Sequence, residues 1–200
     1  TRTARTSFFQ EHQPAFIRLA SEGQAPQICF IGCDDSRVTP EAILGAGPGD
    51  LFVLRNIANV VPPFDVGERA VGASLEFAVR YLRVKHIILC GHTDCGGIKA
   101  LDVQLDRLDQ PHLARWIEYM RPAQTRVDAS GVEPDHRHQA IVEQNVLLQT
   151  ENLRTYDVVR SGLQAGKLML HSLIFNLSTG RIHFWDADTR SFVDESELDS

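Results

Sequence analysis

The stretch IILCGHTDCGG, residues 87–97, decides the fold that we predict for this chain. Its first four residues are apolar and are followed by Gly91, which is the pattern of a buried strand that runs into a loop. His92 and Cys95 lie in that loop and offer one nitrogen and one sulfur ligand. The stretch therefore predicts half of a zinc site at the carboxyl end of a buried strand.

An upstream stretch, ICFIGC at residues 28–33, repeats the pattern of an apolar run, a glycine and a cysteine. It predicts a second buried strand that ends at the metal site. We therefore predict that Cys33, His92 and Cys95 bind one Zn²⁺. Two cysteines and one histidine with an open fourth position are a catalytic arrangement, whereas structural zinc sites usually close with four protein ligands.

The chain contains four cysteines, two of which are not assigned to this site. A disulfide framework is the alternative for an even number of cysteines. Secreted disulfide scaffolds are short and dense in cysteine, and this chain is neither. Cys29 and Cys90 lie inside the apolar runs, so we interpret them as buried core thiols.

Length and composition limit the class of protein. A chain of 200 residues with 43% hydrophobic content predicts one domain, residues 1–200, with residues 1–22 as an N-terminal helical arm. The net charge of -6 and the lack of a basic stripe disfavour nucleic acid and favour a small-molecule substrate. No apolar run reaches the roughly 18 residues of a membrane span. We expect a soluble, cytoplasmic protein, while the start at Thr1 leaves open an upstream targeting segment or a longer parent chain.

Hydrophobic periodicity predicts strands and helices that alternate along the chain. The predicted strands cover residues 27–32, 51–55, 85–90 and 168–175, with an edge strand at 181–185. The predicted helices cover residues 7–20, 40–44, 67–83, 97–108, 112–120, 139–153 and 158–164. Helical crossovers join parallel strands. The sequence therefore predicts an α/β fold with a mainly parallel sheet, four parallel strands plus an antiparallel edge strand, flanked by helices.

Asp35 and Arg37 follow Cys33 at the end of the first predicted strand, where such sheets bind their ligands. An aspartate beside an arginine stays ionised, and a bidentate pair holds one carboxylate oxygen toward the metal. We interpret the two residues as a catalytic pair that orients a zinc-bound hydroxide. A surface ion pair without a catalytic role is the alternative. At the other strand, a helix that begins at residues 96–97 favours the thiolate form of Cys95.

These residues resemble the β-class carbonic anhydrases, in particular the plant-type members with an open metal site. The resemblance rests on C-x-D-S-R at residues 33–37, H-x-x-C-G-G at 92–97, RNIAN at 55–59 and VPPF at 61–64, and it extends from about residue 16 to about residue 180. Asp34 departs from the family, in which this position is usually serine. The resemblance implies a zinc enzyme that interconverts CO₂ and bicarbonate by attack of zinc-bound hydroxide. The implied metal ligands and catalytic pair are the residues named above.

The resemblance also implies a homodimer or a higher even oligomer, with the substrate pocket at the subunit interface. Counting from the matched motifs assigns substrate contacts to Gln24, Phe52, Ile57, Phe77 and Gly96. In some members the aspartate moves onto the zinc in a closed state, which a tryptophan three residues before the first cysteine supports. Phe30 occupies that position here. We therefore predict an open site, with Asp35 paired to Arg37 rather than bound to zinc.

Two alternatives stay open. A hydrolase of carbon disulfide or carbonyl sulfide could use the same site, as relatives of this family do. The chain could instead be a non-catalytic bicarbonate-sensing module, fused to or associated with a larger transporter. Loss of Asp35 or Arg37 would favour the sensor, and both residues are present.

Overall fold

A computed structural model of the protein describes residues 2–66, 68–104 and 109–197. The strands in these ranges are β1 (Ile28–Cys33), β2 (Leu51–Asn56), β3 (His86–His92), β4 (Met169–Phe175), β5 (Ile182–Asp186) and β6 (Ser191–Asp194). The helices are α1 (Arg2–Glu22), α2 (Pro40–Leu44), α3 (Arg69–Glu76), α4 (Gly96–Lys99), α5 (Pro111–Ile117), α6 (Arg121–Ala129), α7 (Pro134–Leu153) and α8 (Asp157–Gln164). None of these helices is both long and apolar enough to cross a membrane.

The strands form one sheet in the order β2-β1-β3-β4-β5-β6. β1 pairs in parallel with β2 and β3, and β3 pairs in parallel with β4. β5 and β6 continue the sheet in antiparallel pairing. The predicted α/β class with a mainly parallel sheet is confirmed. β6 is an additional antiparallel strand that was not predicted. It has only four residues and is polar at both ends, so the sequence shows no strand pattern there.

The central strands are buried on both faces, which is why their sequences are continuous apolar runs. One face of the sheet joins the main helix-covered core, which includes Cys29 and Leu89. The other face carries a smaller cluster around Phe30, Cys90 and Leu173. Side chains alternate between the two faces along each strand, so consecutive residues contribute to different clusters.

The long helix α7 packs directly on β3. A Cβ atom added at Gly91 would lie 2.5 Å from Cγ2 of Val146, so a side chain at this position would push the helix away from the strand. The glycine that follows the apolar run therefore sets the distance between β3 and α7. That distance matters for the site, because His92 follows directly.

Several helix boundaries differ from the sequence prediction. The helix predicted over residues 67–83 begins at Arg69, where the Glu68 side chain caps the Ala70 N–H, and its last part is a π-helical turn at Phe77–Leu82. Gly67 lies outside the described residues. The helix predicted over residues 97–108 is wrong after residue 102, because α4 and a short 3₁₀ turn are followed by extended backbone at Val103. The part at residues 105–108 lies outside the described ranges.

Other helices are longer or more numerous than predicted. α1 spans 21 residues instead of residues 7–20, and α7 begins at Pro134 instead of residue 139. α6 was not predicted, because Pro122 looks like a helix breaker in the sequence. In the structure this proline occupies the first turn, where its missing N–H leaves no hydrogen bond unmade.

Candidate metal centre

Two adjacent strands and one helix start bring the three predicted ligands together. Cys33 is the last residue of β1 and His92 the last residue of β3, and the parallel register places Gly32 opposite Cys90. Cys95 follows at the N-cap of α4. The ligand atoms of Cys33, His92 and Cys95 all lie within 4.8 Å of one another, and all three residues are buried.

The imidazole of His92 is oriented for ligation. Its Nδ1 lies 2.9 Å from the carbonyl oxygen of Thr93, so Nδ1 carries the proton and donates it to that oxygen. Nε2 then has a free lone pair, and it is buried without a hydrogen-bond partner. An unpartnered buried polar atom costs about 1–3 kcal/mol, which a bound ligand would offset. Two cysteine sulfurs and one imidazole nitrogen are donors that zinc prefers, so the residues fit this ion.

The two cysteine ligands share a proton. The sulfur atoms of Cys33 and Cys95 are 4.0 Å apart. The hydrogen bond with Cys95 holds the pKa of the Cys33 thiol well below its usual range, and a backbone N–H from Ala58 at 3.3 Å acts in the same direction. The same hydrogen bond and burial raise the pKa of Cys95. Zinc binds cysteine as the thiolate, so metal binding would be favoured by the lowered pKa of Cys33 and would release the proton from Cys95.

The start of α4 lowers the pKa of the Cys95 thiol, as expected, but other contacts raise that pKa by more. Backbone N–H groups of Gly97 and Ile98 do lower the pKa of its thiol. The hydrogen bond with Cys33 and the burial of the side chain raise it by more, so the pKa of Cys95 is raised overall. α4 is also only four residues long, which limits the dipole that it offers.

Asp35 and Arg37 form the bidentate pair that the sequence suggests. Arg37 donates from Nε to Oδ1 of Asp35 at 2.9 Å and from Nη2 to Oδ2 at 2.7 Å. Its backbone N–H donates to Oδ1 at 3.0 Å. These hydrogen bonds hold the pKa of Asp35 well below its usual range. Oδ2 of Asp35 is 3.9 Å from Nε2 of His92, so an ionised carboxylate stands beside the ligands.

Sequence reasoning missed Arg55, which fixes the loop that carries the first ligand. Its Nε donates to the carbonyl oxygen of Cys33 at 2.9 Å, and its Nη2 donates to that of Asp35 at 2.8 Å. The residue lies on β2 opposite Gly32. The only signal for it was its place in the segment 55–59, which carried the family resemblance.

Asp94 and Lys99 were missed as well. Oδ2 of Asp94 accepts a hydrogen bond from Nη1 of Arg37 at 3.0 Å, and Oδ1 accepts one from the ammonium group of Lys99. These two hydrogen bonds lower the pKa of Asp94 to about 2, the one from Lys99 having the larger effect. Asp94 lies between two ligands in the sequence, but nothing in the spacing indicates that it contacts Arg37.

Buried amide side chains of α7 hold the loop that contacts Cys33. Ala58 has a φ of 59°, a left-handed conformation that is strained for a residue other than glycine. The side-chain amide of Asn145 donates to the Ala58 carbonyl at 3.1 Å. Gln149 accepts from the Val61 N–H at 2.9 Å and is itself fully buried. These contacts fix the orientation of the Ala58 N–H toward the Cys33 sulfur.

The predicted substrate contacts fall at both ends of the sheet. Ile57 and Gly96 lie near the ligands, at the carboxyl ends of the parallel strands. A Cβ added at the neighbouring Gly97 would lie 2.9 Å from Cγ2 of Ile57, so the two loops are in close contact. A Cβ added at Gly96 would have no neighbour within 4 Å, so there is open space beside Cys95.

The other three predicted contacts lie at the opposite end. Phe52 pairs with Cys29, four residues before Cys33, which corresponds to about 13 Å along the strand. Phe77 packs against Phe52 with ring centroids 5.9 Å apart, and Gln24 is exposed before β1 begins. Within one chain, the structure does not bring these three residues together with the metal ligands.

Comparison with known proteins decides the family. A model of the carbonic anhydrase family matches residues 28–182. The chain belongs to this family. A carbonic anhydrase from Synechococcus elongatus is 39% identical over 182 residues, which are 89% of this chain and 66% of that protein. One from Pseudomonas aeruginosa is 40% identical over 91% of this chain and 83% of its own length. The chain thus spans just under two thirds of the Synechococcus protein.

Solved structures place this carbonic anhydrase in the β class. The β-carbonic anhydrase CcaA has a TM-score of 0.89 at 35% identity, with 96% of this chain and 95% of CcaA covered. A structure described as a tetrameric β-carbonic anhydrase from Sordaria macrospora has a TM-score of 0.77 at 34% identity, with 92% of both chains covered. The predicted family and the predicted enzyme class are confirmed.

Proposed function

We propose that this chain is a zinc enzyme that hydrates CO₂ reversibly to bicarbonate and a proton. The observation that carries the proposal is the unpartnered Nε2 of His92, buried within 4.8 Å of two cysteine sulfurs. An ionised carboxylate, that of Asp35, stands 3.9 Å from the same nitrogen. Family membership supports the reaction, since carbonic anhydrases are the proteins that this chain resembles over most of its length.

The residues of the chain divide the chemistry between them. Cys33, His92 and Cys95 would hold the zinc ion. Zinc, when bound, supplies a Lewis acid that lowers the pKa of a water molecule, as is established for carbonic anhydrases in general. Asp35 accepts a hydrogen bond from the attacking oxygen and orients its lone pair toward the substrate carbon. Arg37 keeps that carboxylate ionised and prevents it from rotating, because three of its N–H groups are bonded to Asp35.

The space for CO₂ adjoins the ligands. CO₂ has no hydrogen-bond donor and needs little more than an apolar wall and room to approach. Ile57 supplies an apolar side chain at this end of the sheet, and its side chain is 38% exposed within one chain. The open space at Gly96 lets a small molecule reach the backbone beside Cys95.

A second copy of the chain is needed to complete the pocket. Phe52 lies at the amino end of β2, about 13 Å along the strand from the level of Cys33, Phe77 packs against its ring, and Gln24 precedes β1. Phe77 is 42% exposed and stacks on Tyr81, which is 77% exposed, so an aromatic surface faces outward. We propose that this surface faces the metal centre of a partner, and that a homodimer is the smallest active unit. The tetrameric relative from Sordaria macrospora supports an even assembly.

No specific observation favours either alternative, the hydrolase or the sensor. Hydrolysis of carbon disulfide or carbonyl sulfide would use the same ligands and the same Asp35. A non-catalytic sensor fused to a transporter has no need for the Asp35–Arg37 pair, which is fully formed. CO₂ hydration is therefore the function that the geometry supports best.

The test is stopped-flow CO₂ hydration by the protein loaded with one zinc per chain, compared with the metal-stripped protein. We expect hydration that follows the zinc content. Fully loaded, folded dimers that hydrate CO₂ no faster than buffer would overturn the proposal. Parallel assays with carbon disulfide and carbonyl sulfide measure the alternative substrates on the same preparation.

A further inference from the structure

We infer that Asp94 is a positioning residue, which fixes Arg37 so that Asp35 keeps one orientation beside the metal ligands. The consequence for turnover rests on the proposed function. The positioning itself does not, since it concerns the arrangement of three side chains of this chain and can be measured without an activity assay.

The guanidinium group of Arg37 is held from two sides. Its Nε and Nη2 donate to Asp35, as described above. Its Nη1 donates to Oδ2 of Asp94 at 3.0 Å, and its Nη2 also donates to the backbone oxygen of Asp94 at 3.3 Å. Without the Asp94 side chain, Arg37 would be anchored by an aspartate two residues away in the same loop and by one long hydrogen bond to the backbone oxygen of residue 94. A half-exposed arginine held at one edge retains several rotamers, and Asp35 would move with it.

Lys99 completes the arrangement. Its ammonium group donates to Oδ1 of Asp94, so each oxygen of this carboxylate has its own cation. Lys99 lies on α4, which begins directly after Cys95, whereas Arg37 lies in the loop after β1. Asp94 therefore links the two segments that carry the metal ligands. This is a contact that neither segment could make alone.

The backbone at Asp94 limits what can replace it. Its φ is 59°, in the left-handed region that glycine, asparagine and aspartate adopt most easily. Aspartate therefore suits the turn between His92 and Cys95 as well as the contact with Arg37. Asparagine and glycine keep the turn while they remove the charge or the whole side chain. Alanine would add backbone strain and confuse the two effects.

The orientation of Asp35 matters because of its distance from the ligands. Its Oδ2 is 3.9 Å from Nε2 of His92, so a modest rotation would bring the carboxylate into the space where the metal and substrate meet. Arg37 prevents that rotation only as far as Arg37 itself is fixed. Loss of Asp94 should therefore let Asp35 sample several positions, including ones that compete for the metal.

The first arm of the test uses Asp94→Asn and Asp94→Gly. Asparagine keeps a neutral side-chain acceptor for Arg37, and glycine keeps only the backbone carbonyl at 3.3 Å, so the effect should grow from wild type through asparagine to glycine. In the metal-free protein, we expect the ¹⁵N resonance of the Arg37 Nε–H to be sharp in wild type and progressively broadened in the two variants. In cobalt-substituted protein, the visible spectrum of Asp94→Gly should change as a carboxylate enters the metal coordination.

Two controls separate this role from general structural damage. Asp109→Gly replaces another aspartate with a positive φ, of 54°, and tests the backbone change alone. Asp128→Asn removes a carboxylate that pairs with Arg137 by two hydrogen bonds, at 2.7 and 3.1 Å, in a different part of the chain. Neither control should alter the Arg37 resonance or the cobalt spectrum.

The second arm measures kcat for CO₂ hydration in wild type and in the two Asp94 variants, each with the same zinc content. A misplaced catalytic group typically lowers the rate by one to two orders of magnitude, so we expect roughly a tenfold lower kcat for Asp94→Gly and a smaller loss for Asp94→Asn. An Arg37 resonance and a cobalt spectrum that are identical in wild type and Asp94→Gly would overturn the inference. If wild type itself lacks CO₂ hydration, the proposed function fails, while the spectra still decide the role of Asp94.

Discussion

The four cysteines form two pairs that are similarly buried but differ in their hydrogen-bond partners. Cys29 and Cys90 lie inside β1 and β3 and are fully buried, and burial raises the pKa of each thiol to about 12. Cys33 and Cys95 lie where β1 ends and where α4 begins, and they are 4% and 2% exposed. Yet the pKa of Cys33 is held well below its usual range.

The difference comes from partners rather than from burial. The Cys33 sulfur shares a hydrogen bond with the Cys95 sulfur at 4.0 Å and accepts one from the Ala58 N–H at 3.3 Å. Cys29 has only desolvation acting on it. Cys90 donates a hydrogen bond to the carbonyl of Gly91 at 3.3 Å, and a backbone hydrogen bond from Phe175 lowers its pKa by less than burial raises it. The sheet uses most N–H groups of a strand interior, whereas the ends of strands leave N–H groups that can stabilise a thiolate.

The largest expected effect is on zinc binding, and it compares one cysteine from each pair, Cys33 and Cys29. Cys33→Ala removes a ligand, so zinc affinity should fall by more than the roughly 10–100-fold that loss of a residue supporting a ligand causes. Cys29→Ala should keep one zinc per chain and lose only about 1 kcal/mol of stability from a small cavity. Zinc content measured after dialysis against a weak chelator compares them. Equal zinc retention in the two variants would remove the distinction.

The second largest effect concerns the charge beside the ligands. Asp35→Asn keeps the shape of the side chain but cannot remain negative or accept a hydrogen bond at both oxygens. We expect near-normal zinc content with CO₂ hydration lowered about 10²–10³-fold, the loss typical for removal of one preorganised polar contact. Stopped-flow assays of protein with verified zinc content measure it. Turnover close to wild type would reduce Asp35 to a structural residue.

An intermediate effect tests whether the two ends of the sheet meet across a dimer. Phe77→Ala should keep zinc and lose roughly tenfold in kcat/KM, because a pocket wall is removed. A mixture of Phe77→Ala and Asp35→Asn chains, dissociated and reassembled, should regain activity. Each mixed dimer then contains one site with an intact Asp35 and an intact Phe77 from the partner copy.

The mixture provides its own control. Random reassembly makes about half of the dimers mixed, each with one complete site, so activity should approach about a quarter of wild type. If both residues served the site of their own chain, mixing would give only the average of the two variants. Analytical ultracentrifugation of the mixture verifies that dimers are present before the assay.

The smallest effect is a pH dependence of stability at a half-buried pair of histidines. Nδ1 of His86 lies 3.0 Å from Nε2 of His171, and burial together with the charge of His86 lowers the pKa of His171. Below its ordinary pKa of about 6.5, the unfolded chain binds a proton at His171 that the folded chain resists. Stability should therefore be full above that pH and decline as the pH falls below it.

Urea unfolding at pH 7.5 and pH 5.5 measures this contribution. His171→Gln should reduce the difference in unfolding midpoint between the two pH values, whereas His112→Gln, at an exposed position, should leave it unchanged. A larger acid loss in His171→Gln than in wild type would show that the sign is wrong.

The sequence was sufficient to predict that Cys33, His92 and Cys95 lie together, because the signals for their positions are local. Apolar runs that end in glycine and cysteine mark both the buried strands and the ends where a ligand can sit. The contacts of Arg55 and Asp94 join residues from different loops, with no periodic spacing to reveal them. The short strand β6 and the first turn of α6 gave no pattern, since four residues are too few and a proline is ambiguous.

The distribution of the substrate contacts also required the structure. Family resemblance assigned Phe52 and Phe77 to the pocket, but the position of Phe52 along β2 depends on the register between β1 and β2. That register places Phe52 opposite Cys29, at the end of the sheet away from Cys33, and Phe77 packs against the Phe52 ring. The register between two strands cannot be read directly from a sequence, because the register is set by packing between strands that are distant along the chain.

The central claim is that Cys33, His92 and Cys95 hold a zinc ion with one position left open. X-ray absorption at the zinc edge of the loaded protein tests it most directly. The account predicts two sulfur neighbours at about 2.3 Å, and one nitrogen and one oxygen neighbour at about 2.0–2.1 Å, with one sulfur lost in Cys33→Ala. A spectrum with four sulfur neighbours, or one without sulfur, would contradict the claim.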